Sequence, residues 1–174
     1  MNAWPVSALP PKLENFMADA YTLEREAAQR YAELADMMDA CNNAEVAELF
    51  RTMAGYEQRH AEQIAQQMGW QSEPPVPPSD ERPAEAPEAI ARDDLHYMMQ
   101  PWHALKLALA AERAAVDYFA SIAKASADEH VFNAALEFQK EEEEHVALVE
   151  AWLAKLTPPD ADWAEDPDPP RYNE

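Results

Sequence analysis

The stretch from residue 53 to residue 64, MAGYEQRHAEQI, places Glu57 and His60 three residues apart between apolar residues. A second stretch, FQKEEEEHVALV at residues 138–149, repeats this spacing with Glu142 and His145. Side chains three residues apart share one face of an α-helix, so each pair can reach a common point. The Met, Ile, Phe and Val residues around them turn that face toward a hydrophobic core. The two stretches therefore predict two helices that each carry a carboxylate and an imidazole inward.

Proline divides the rest of the sequence into blocks. No proline occurs from residue 12 to residue 73 or from residue 102 to residue 157, and the chain has only 2 glycines. A proline inside a helix costs about 3 kcal/mol, so long proline-free blocks are typical of helices. Ala, Glu, Leu, Met and Gln dominate both blocks, and the alternation typical of strands is absent. The sequence predicts an all-α fold.

Each block contains a stop-and-start signal near its middle. Asn42 with Glu45, and Ser126 with Glu129, have the spacing of capping boxes, in which a side-chain acceptor precedes a glutamate by three residues. Pro101 is expected in the first turn of a helix, where its missing N–H costs little. Four helices are predicted, at about 12–40, 43–69, 101–125 and 128–156.

A Pro- and Glu-rich segment, residues 70–100, joins the two predicted antiparallel helix hairpins. A direct turn needs only a few residues, so this length favours a connection that crosses the whole bundle. Exchange of hairpins between two subunits would use the same linker. We expect one domain over residues 1–156, which includes the linker, and an acidic, Pro-rich C-terminal tail over residues 157–174.

Glutamates interrupt the apolar stripe of every predicted helix. Besides Glu57 and Glu142, the interruptions are Glu24, between Ala20 and Ala27, and Glu112, after Leu109. In each hairpin the paired glutamates lie at matching depth, about 21–24 Å from the interhelical turn. Four buried carboxylates need compensating positive charge, and no Lys or Arg lies on the stripes. Two divalent cations would balance them, so the pattern predicts a dinuclear metal site completed by His60 and His145.

Four helices with Glu…Glu-x-x-His…Glu…Glu-x-x-His over residues 12–156 resemble the ferritin-like di-iron carboxylate proteins, most of all the rubrerythrin branch. The resemblance implies a ferritin-like four-helix bundle that binds two iron ions. Glu24 and Glu112 would be terminal ligands, Glu57 and Glu142 would bridge the irons, and His60 and His145 would each bind one. Tyr31, seven residues after Glu24, resembles the tyrosine that in this family lies two turns from a ligand.

The sequence also departs from that family's pattern. Ala115 stands where a typical rubrerythrin has an additional glutamate, and Phe119 stands where a tyrosine is expected. The rubredoxin domain is missing, and one cysteine, Cys41, cannot form its four-thiolate iron site. The remaining ligand set is more symmetric and closer to a bacterioferritin centre. An external electron donor, such as a rubredoxin-like protein, is therefore expected.

Two kinds of redox function follow from these features. The leading hypothesis is a di-iron oxidoreductase, with a role in oxidative stress, that reduces hydrogen peroxide or dioxygen, with Tyr31 as a hydrogen-bond partner of a ligand carboxylate. The alternative is a ferroxidase that handles iron. A dinuclear manganese catalase or a mixed-metal centre uses the same ligand types, and a structural helical bundle without metal is the remaining reading.

Charge and hydropathy limit the partners. The chain has 13 Lys+Arg and 34 Asp+Glu, a formal net charge of −21, so nucleic acid and anionic membrane surfaces would be repelled. No apolar run approaches the roughly 18 residues that span a bilayer. No signal peptide is apparent at the start, and the expected location is the cytoplasm. A homodimer, with or without exchanged hairpins, is expected.

Overall fold

The computed structural model describes residues 11–74 and 90–166. These residues form four α-helices and no strand. A short 3₁₀ turn at Arg92–Asp94 precedes the third helix. The helices are α1 (Pro11–Ala40), α2 (Ala44–Met68), α3 (Pro101–Ala125) and α4 (Glu129–Leu153). The predictions of an all-α fold and of four helices are confirmed, and the expected ends of the helices differ from these bounds by three residues at most. The predicted features within residues 1–10, 75–89 and 167–174 lie outside the described residues.

The prediction that Asn42 caps α2 is wrong by one residue. Asn42 has a left-handed backbone conformation, with a φ of 57°, and so belongs to the turn after α1. The N-cap is Asn43, whose side-chain oxygen accepts a hydrogen bond from the backbone N–H of Val46 at 3.3 Å. Asparagine tolerates left-handed backbone better than most residues, so the first of the two asparagines reverses the chain and the second caps the helix.

The prediction that Ser126 caps α4 is also wrong. The N-cap is Asp128, whose carboxylate accepts hydrogen bonds from the backbone N–H groups of His130 and Val131. The hydroxyl group of Ser126 instead accepts from the backbone N–H of Asp128 at 3.2 Å. A negatively charged cap is stabilised by the positive end of the helix dipole, which favours the aspartate over the serine.

The described ends of the long linker lie at opposite ends of the bundle, in agreement with the crossover connection that its length predicted. Near the end of α2, Glu73 forms an ion pair with Arg25 in the first half of α1. At the start of α3, the backbone carbonyl of Met99 accepts a hydrogen bond from the side chain of Asn43, at the beginning of α2. The chain therefore leaves α2 at one end of the bundle and enters α3 at the other. In consequence α2 and α3 run in the same direction, while α1/α2 and α3/α4 are antiparallel hairpins.

Two apolar clusters fill the bundle and leave a layer between them. The cluster toward the α1–α2 turn includes Tyr31, Phe50, Leu105 and Val149. The cluster toward the α3–α4 turn has an aromatic centre, in which the Phe16 ring lies edge-on to Phe119 at 6.4 Å and to Phe138 at 5.9 Å. These clusters exclude water from both ends of the layer and fix its depth along the four helices.

The described part of the C-terminal tail folds back onto the bundle. The ring of Trp163 lies 3.7 Å, centroid to centroid, from the imidazole of His103 in the first turn of α3. Nδ1 of His103 accepts a hydrogen bond from the backbone N–H of Gln100, and Pro101 begins the helix as predicted. Within the described residues, every helix is too short or too polar to cross a membrane.

Candidate metal centre

The layer between the two apolar clusters contains four buried carboxylates, one from each helix. The exposed fraction is 1% for Glu24 and Glu142 and 0% for Glu57 and Glu112. The side chains of His60 and His145 reach the same layer and are 13% and 12% exposed. The structure therefore brings together all six residues that the sequence pattern selects, three from each hairpin.

One half of the layer is arranged around His60. Its Nδ1 lies 3.5 Å from Oε2 of Glu24, on α1, and 3.9 Å from Oε2 of Glu57, on its own helix. Oε1 of Glu142, from α4, lies 4.0 Å away. Three helices thus supply oxygen atoms around one imidazole nitrogen.

The other half of the layer is arranged around His145. Its Nδ1 lies 3.3 Å from Oε2 of Glu112, on α3, and 3.4 Å from Oε2 of Glu142. The two oxygens of Glu142 therefore face different histidines, Oε1 toward His60 and Oε2 toward His145. Glu142 lies between the two halves of the layer.

The donor atoms form three overlapping groups in which all atoms lie within 4.8 Å of one another. These groups are Glu24–His60–Glu142, Glu112–Glu142–His145 and Glu57–His60–His145. Glu142 is shared by the first two, and Glu57 is grouped with both histidines. Four carboxylates and two imidazoles are a donor set that fits iron, manganese or other first-row divalent ions. The cluster is able to hold metal.

Burial and mutual repulsion perturb the carboxylates. The pKa of Glu57 is raised to about 8, first because burial disfavours the charged form and then because of the charges on Glu112 and Glu142. Burial also raises the pKa of Glu142 to about 7, against the stabilising hydrogen bond from His145. For Glu57, Glu112 and Glu142, the basic groups within 4.0 Å among the described residues are the two imidazoles. Without a cation, the layer thus retains protons at neutral pH.

The two histidines differ although their sequence motif is the same. Burial lowers the pKa of His60 to about 4, and repulsion from His145 and Arg59 acts in the same direction. Burial also disfavours the charged form of His145, but hydrogen bonds to Glu112 and Glu142, together with their charges, raise its pKa to about 11. At neutral pH the positive charge of the imidazole pair therefore resides on His145, which faces two carboxylates at short distance.

The residues around the cluster match part of the sequence interpretation. Tyr31 is 1% exposed, and its ring lies 6.1 Å from that of Phe50 in the apolar cluster below the layer. Its role as a hydrogen-bond partner of a ligand carboxylate stays a prediction.

Ala115, one turn after Glu112, is fully buried, and so is Phe119 at 1% exposure. An additional glutamate at residue 115 would therefore be placed inside the bundle.

Gly55, two residues before Glu57 on α2, is loosely surrounded. A Cβ atom built there would meet only the Arg59 guanidinium group, at 4.0 Å. Gly55 instead lines an open cavity of about 630 Å³ between α1, α2 and the start of the linker, beside Tyr21 and Arg25. The glycine is therefore not required for a close approach of another helix.

Tyr56 was not selected from the sequence, yet its ring lies 5.8 Å from that of His145. It is beside Glu57 on α2 but contacts a residue of α4, so no local pattern marks it. The ring of Trp152, near the end of α4, lies 6.2 Å from Tyr56. Only the packing of α2 against α4 reveals this contact.

Known proteins share this arrangement of helices. A sequence model of the rubrerythrin family matches residues 15–151. The crystal structure of an uncharacterized conserved protein from Magnetospirillum magnetotacticum MS-1 is 35% identical, with a TM-score of 0.59, and the match covers 83% of this chain and 95% of that chain. No curated protein matches the sequence significantly.

Proposed function

The chain belongs to the rubrerythrin family, and we propose that it is a di-iron oxidoreductase that reduces hydrogen peroxide or dioxygen with an external electron donor. At the level of the family, this is metal-binding chemistry of an oxidoreductase or iron-handling protein. The observation that carries the proposal is the position of Glu142, whose two oxygens face His60 and His145 separately. A carboxylate placed in this way is suited to bridge two metal ions.

The six residues would divide into two sets of ligands. Glu24 and His60 would bind one ion, and Glu112 and His145 would bind the other. Glu57 and Glu142 would bridge the two ions, because each is grouped with donors from both halves. Hard carboxylate oxygens suit ferric iron and imidazole suits ferrous iron, whereas a manganese pair would accept the same atoms.

Bound iron would supply the electrons that cleave an oxygen–oxygen bond, and the surrounding side chains would exclude water, hold protons and orient the ligands. The apolar clusters above and below the layer keep bulk water away from the reacting oxygen atoms. Glu57 and His145, which hold protons in the metal-free state, would release them when metal binds. Tyr31 would donate a hydrogen bond to a ligand carboxylate and thereby fix its orientation.

Electrons for repeated turnover would come from outside this chain. The sequence has 1 cysteine, Cys41, which is exposed, so its residues cannot form a four-thiolate iron site. A rubredoxin-like protein is a donor of suitable chemistry. A homodimer is part of the proposal, and exchange of hairpins between its subunits is the alternative form of it.

Iron oxidation is the second candidate function, and Ala115 favours it. Ala115 is fully buried one turn after Glu112, at the position where the expected additional glutamate is missing. The ligand set is consequently symmetric, with two glutamates and one histidine from each hairpin. The net charge of −21 would also attract ferrous ions to the protein surface.

The first experiment measures the metal content and the spectrum of the bound metal. The purified protein is loaded with ferrous iron under anaerobic conditions, and iron per chain and the visible spectrum after oxidation are recorded. We expect two ions per chain and the absorption of an oxo-bridged ferric pair. Manganese bound in preference to iron would support the catalase reading, and absence of any bound metal would support a structural bundle and overturn the proposal.

A second experiment separates peroxide reduction from iron oxidation. Donor oxidation by peroxide is measured at equal iron loading for the wild type and for Ala115→Glu. Fast turnover in the wild type would establish the peroxidase and show that the additional glutamate is dispensable. Slow turnover in the wild type, with rapid oxidation of added ferrous iron, would make ferroxidase the better description. A faster Ala115→Glu variant would then identify the missing glutamate as the cause.

A further inference from the structure

The exposed part of the candidate metal centre is its pair of imidazoles. The side chains of His60 and His145 are 13% and 12% exposed, whereas each of the four buried glutamates is 1% exposed or less. The two imidazole rings come from α2 and α4 and are stacked, with 4.5 Å between their centroids. A small molecule from solvent therefore meets this donor set from the side of the bundle where α2 and α4 face each other.

Tyr56 lies across one end of this exposed edge. It precedes His60 by four residues on α2, so the two side chains share a helix face. Its ring lies 5.8 Å from that of His145 on α4, and the Trp152 ring, two turns after His145, lies 6.2 Å from that of Tyr56. Two aromatic rings, one from each helix, therefore fill the space between α2 and α4 on the side of the imidazoles that faces the α1–α2 turn.

The Tyr56 ring is held in place by several neighbours. The guanidinium carbon of Arg59 lies 4.5 Å from the ring centre, and a cation over an aromatic face is attracted to it. Tyr56 and Trp152 also pack against the apolar cluster toward the α1–α2 turn. Rotation of the Tyr56 side chain away from the centre would break its contacts with a cation, an imidazole and an indole together. The ring therefore acts as a fixed barrier beside the imidazoles.

The opposite end of the exposed edge carries a different side chain. Glu141 lies one turn before His145 on α4 and is half-buried. Tyr56 and Glu141 occupy the same position in the two Glu-x-x-His stretches, directly before Glu57 and Glu142. Because α2 and α4 run in opposite directions, these two residues lie at opposite ends of the edge. The two halves of the centre have the same proposed ligand types, yet a broad ring limits access at one end and a slender carboxylate at the other.

We propose that the ring of Tyr56 restricts access to the candidate metal centre, so that the centre reacts with hydrogen peroxide in preference to bulky organic hydroperoxides. This inference rests on the proposed function, whose oxidant it narrows to small peroxides. Hydrogen peroxide is little larger than water and fits beside the ring. The cumyl group of cumene hydroperoxide is broader than a phenyl ring and has to displace Tyr56 to bring its peroxide oxygens to the donor layer.

Both oxidants undergo the same reaction. Each peroxide takes two electrons from the ferrous pair and two protons from solvent, and its oxygen–oxygen bond breaks. Hydrogen peroxide yields two molecules of water, and cumene hydroperoxide yields one molecule of water and one of cumyl alcohol. One peroxide oxidises one ferrous pair to a ferric pair, so a single turnover needs no other reactant. The intrinsic reactivities of the two peroxides cancel when the ratio of their rates is compared between variants.

The test uses the full-length chain, loaded with ferrous iron and mixed anaerobically with either peroxide. Absorbance of the ferric product gives the rate of a single turnover. We expect the ratio of the rates, hydrogen peroxide over cumene hydroperoxide, to fall about tenfold in Tyr56→Ala, while the rate with hydrogen peroxide changes less than about twofold. Tyr56→Phe keeps the ring and should keep the wild-type ratio. Tyr56→Leu, a second variant that preserves more of the packing, should give an intermediate ratio.

Tyr21→Ala is the matched control. Tyr21 is also half-buried, with the Trp70 ring at 5.9 Å and the guanidinium carbon of Arg25 at 6.0 Å, but it lines the outer cavity between α1 and α2. Its removal should leave the ratio at the wild-type value. An equal fall in Tyr21→Ala would indicate general loosening of the bundle, and an equal fall in Tyr56→Phe would indicate an effect of the hydroxyl group. Either result would overturn the barrier.

A second readout needs neither iron nor turnover. Diethyl pyrocarbonate is larger than hydrogen peroxide and acylates uncharged imidazoles, and peptide mass spectrometry of the metal-free protein measures its reaction with His60. We expect this labelling to be several-fold faster in Tyr56→Ala than in the wild type, and unchanged in Tyr56→Phe and Tyr21→Ala. Circular dichroism and the melting temperature show whether each variant is folded.

The outcomes separate this inference from the proposed function. Wild-type ratios and labelling in both Tyr56→Ala and Tyr56→Leu, or a change in only one of the two readouts, would overturn restricted access by Tyr56 and leave the proposed function standing. A wild-type protein that cumene hydroperoxide oxidises as fast as hydrogen peroxide does would overturn the preference in the same way. A wild-type protein that binds no iron would overturn the proposed function and the preference together, and the labelling of His60 would still decide whether Tyr56 restricts access.

Discussion

The imidazole rings of His60 and His145 are stacked, with 4.5 Å between centroids and 12° between planes. They come from different hairpins, on α2 and α4, and each faces a different oxygen of Glu142. Burial, and then repulsion from the charged His145 ring, lowers the pKa of His60, whereas hydrogen bonds to Glu112 and Glu142 raise the pKa of His145 against the effect of its burial. This ring contact joins the two halves of the candidate centre. Of the two imidazoles, only that of His145 is positively charged at neutral pH.

Removal of either proposed bridge should abolish dinuclear metal binding. We expect Glu57→Ala and Glu142→Ala to bind at most about one ferrous ion per chain in place of two, because each bridge serves both positions. Glu143→Ala is the matched control, since Glu143 is exposed beside Glu142. Elemental analysis after anaerobic loading measures the stoichiometry, and circular dichroism monitors helix content. Full occupancy in either bridge variant would contradict the assignment.

Metal binding at pH 7 should release protons. Glu57, with a pKa of about 8, and His145, with a pKa of about 11, are mainly protonated, and Glu142, at about 7, is half protonated. All three must lose their protons to act as ligands, so we expect about two to three protons per dinuclear site. Calorimetry in buffers of different ionisation enthalpy measures this number. Glu57→Gln should lower it by about one, and a value near zero in the wild type would contradict these protonation states.

The metal-free protein should lose stability as the pH rises from 6.5 to 9. The pKa values of Glu57, Glu142 and His145 are raised in the folded state, so their contribution is complete below the unfolded pKa and is lost as pH passes the folded value. His60 has a lowered pKa and acts in the opposite direction only below pH 6.5.

Urea unfolding at several pH values, with a chelator present, measures this dependence. Glu57→Gln should flatten the decline between pH 6.5 and 9, whereas Glu143→Gln at the exposed neighbouring position should not. Ferrous iron should raise the melting temperature at neutral pH by linkage. Melting curves that coincide with and without the metal would count against a buried metal site.

Gly55→Ala should stabilise the protein by about 0.5–1 kcal/mol, because alanine is the better helix former and a Cβ atom meets only Arg59 at 4.0 Å. Gly69→Ala is the control, and it should change the stability in the opposite direction. Gly69 ends α2 in the left-handed conformation, with a φ of 71°, where a Cβ atom is strained. Denaturant midpoints of the two variants should shift in opposite directions. A loss of stability in Gly55→Ala would contradict the open surroundings of this residue.

The helices and the six clustered residues could be predicted from the sequence, because both depend on local spacing. Proline is excluded from the interior of helices, and a glutamate on an apolar stripe faces the core whatever the partner helix is. The helix caps were less predictable. Asn42 and Asn43 are chemically identical, and the backbone of the turn decides which of them caps α2.

Only the tertiary structure decided how the two Glu-x-x-His motifs differ. Their local sequences would give His60 and His145 the same protonation, yet their pKa values are about 4 and about 11. Much of the difference comes from another helix, since His145 lies 3.3 Å from Glu112 on α3, whereas Glu142, at 3.4 Å, belongs to the same helix as His145. The contact of Tyr56 with His145 has the same origin. Spacing along one helix determines which side chains point inward, whereas the electrostatics of a buried group depend on the atoms that the packing of other helices brings within a few ångströms.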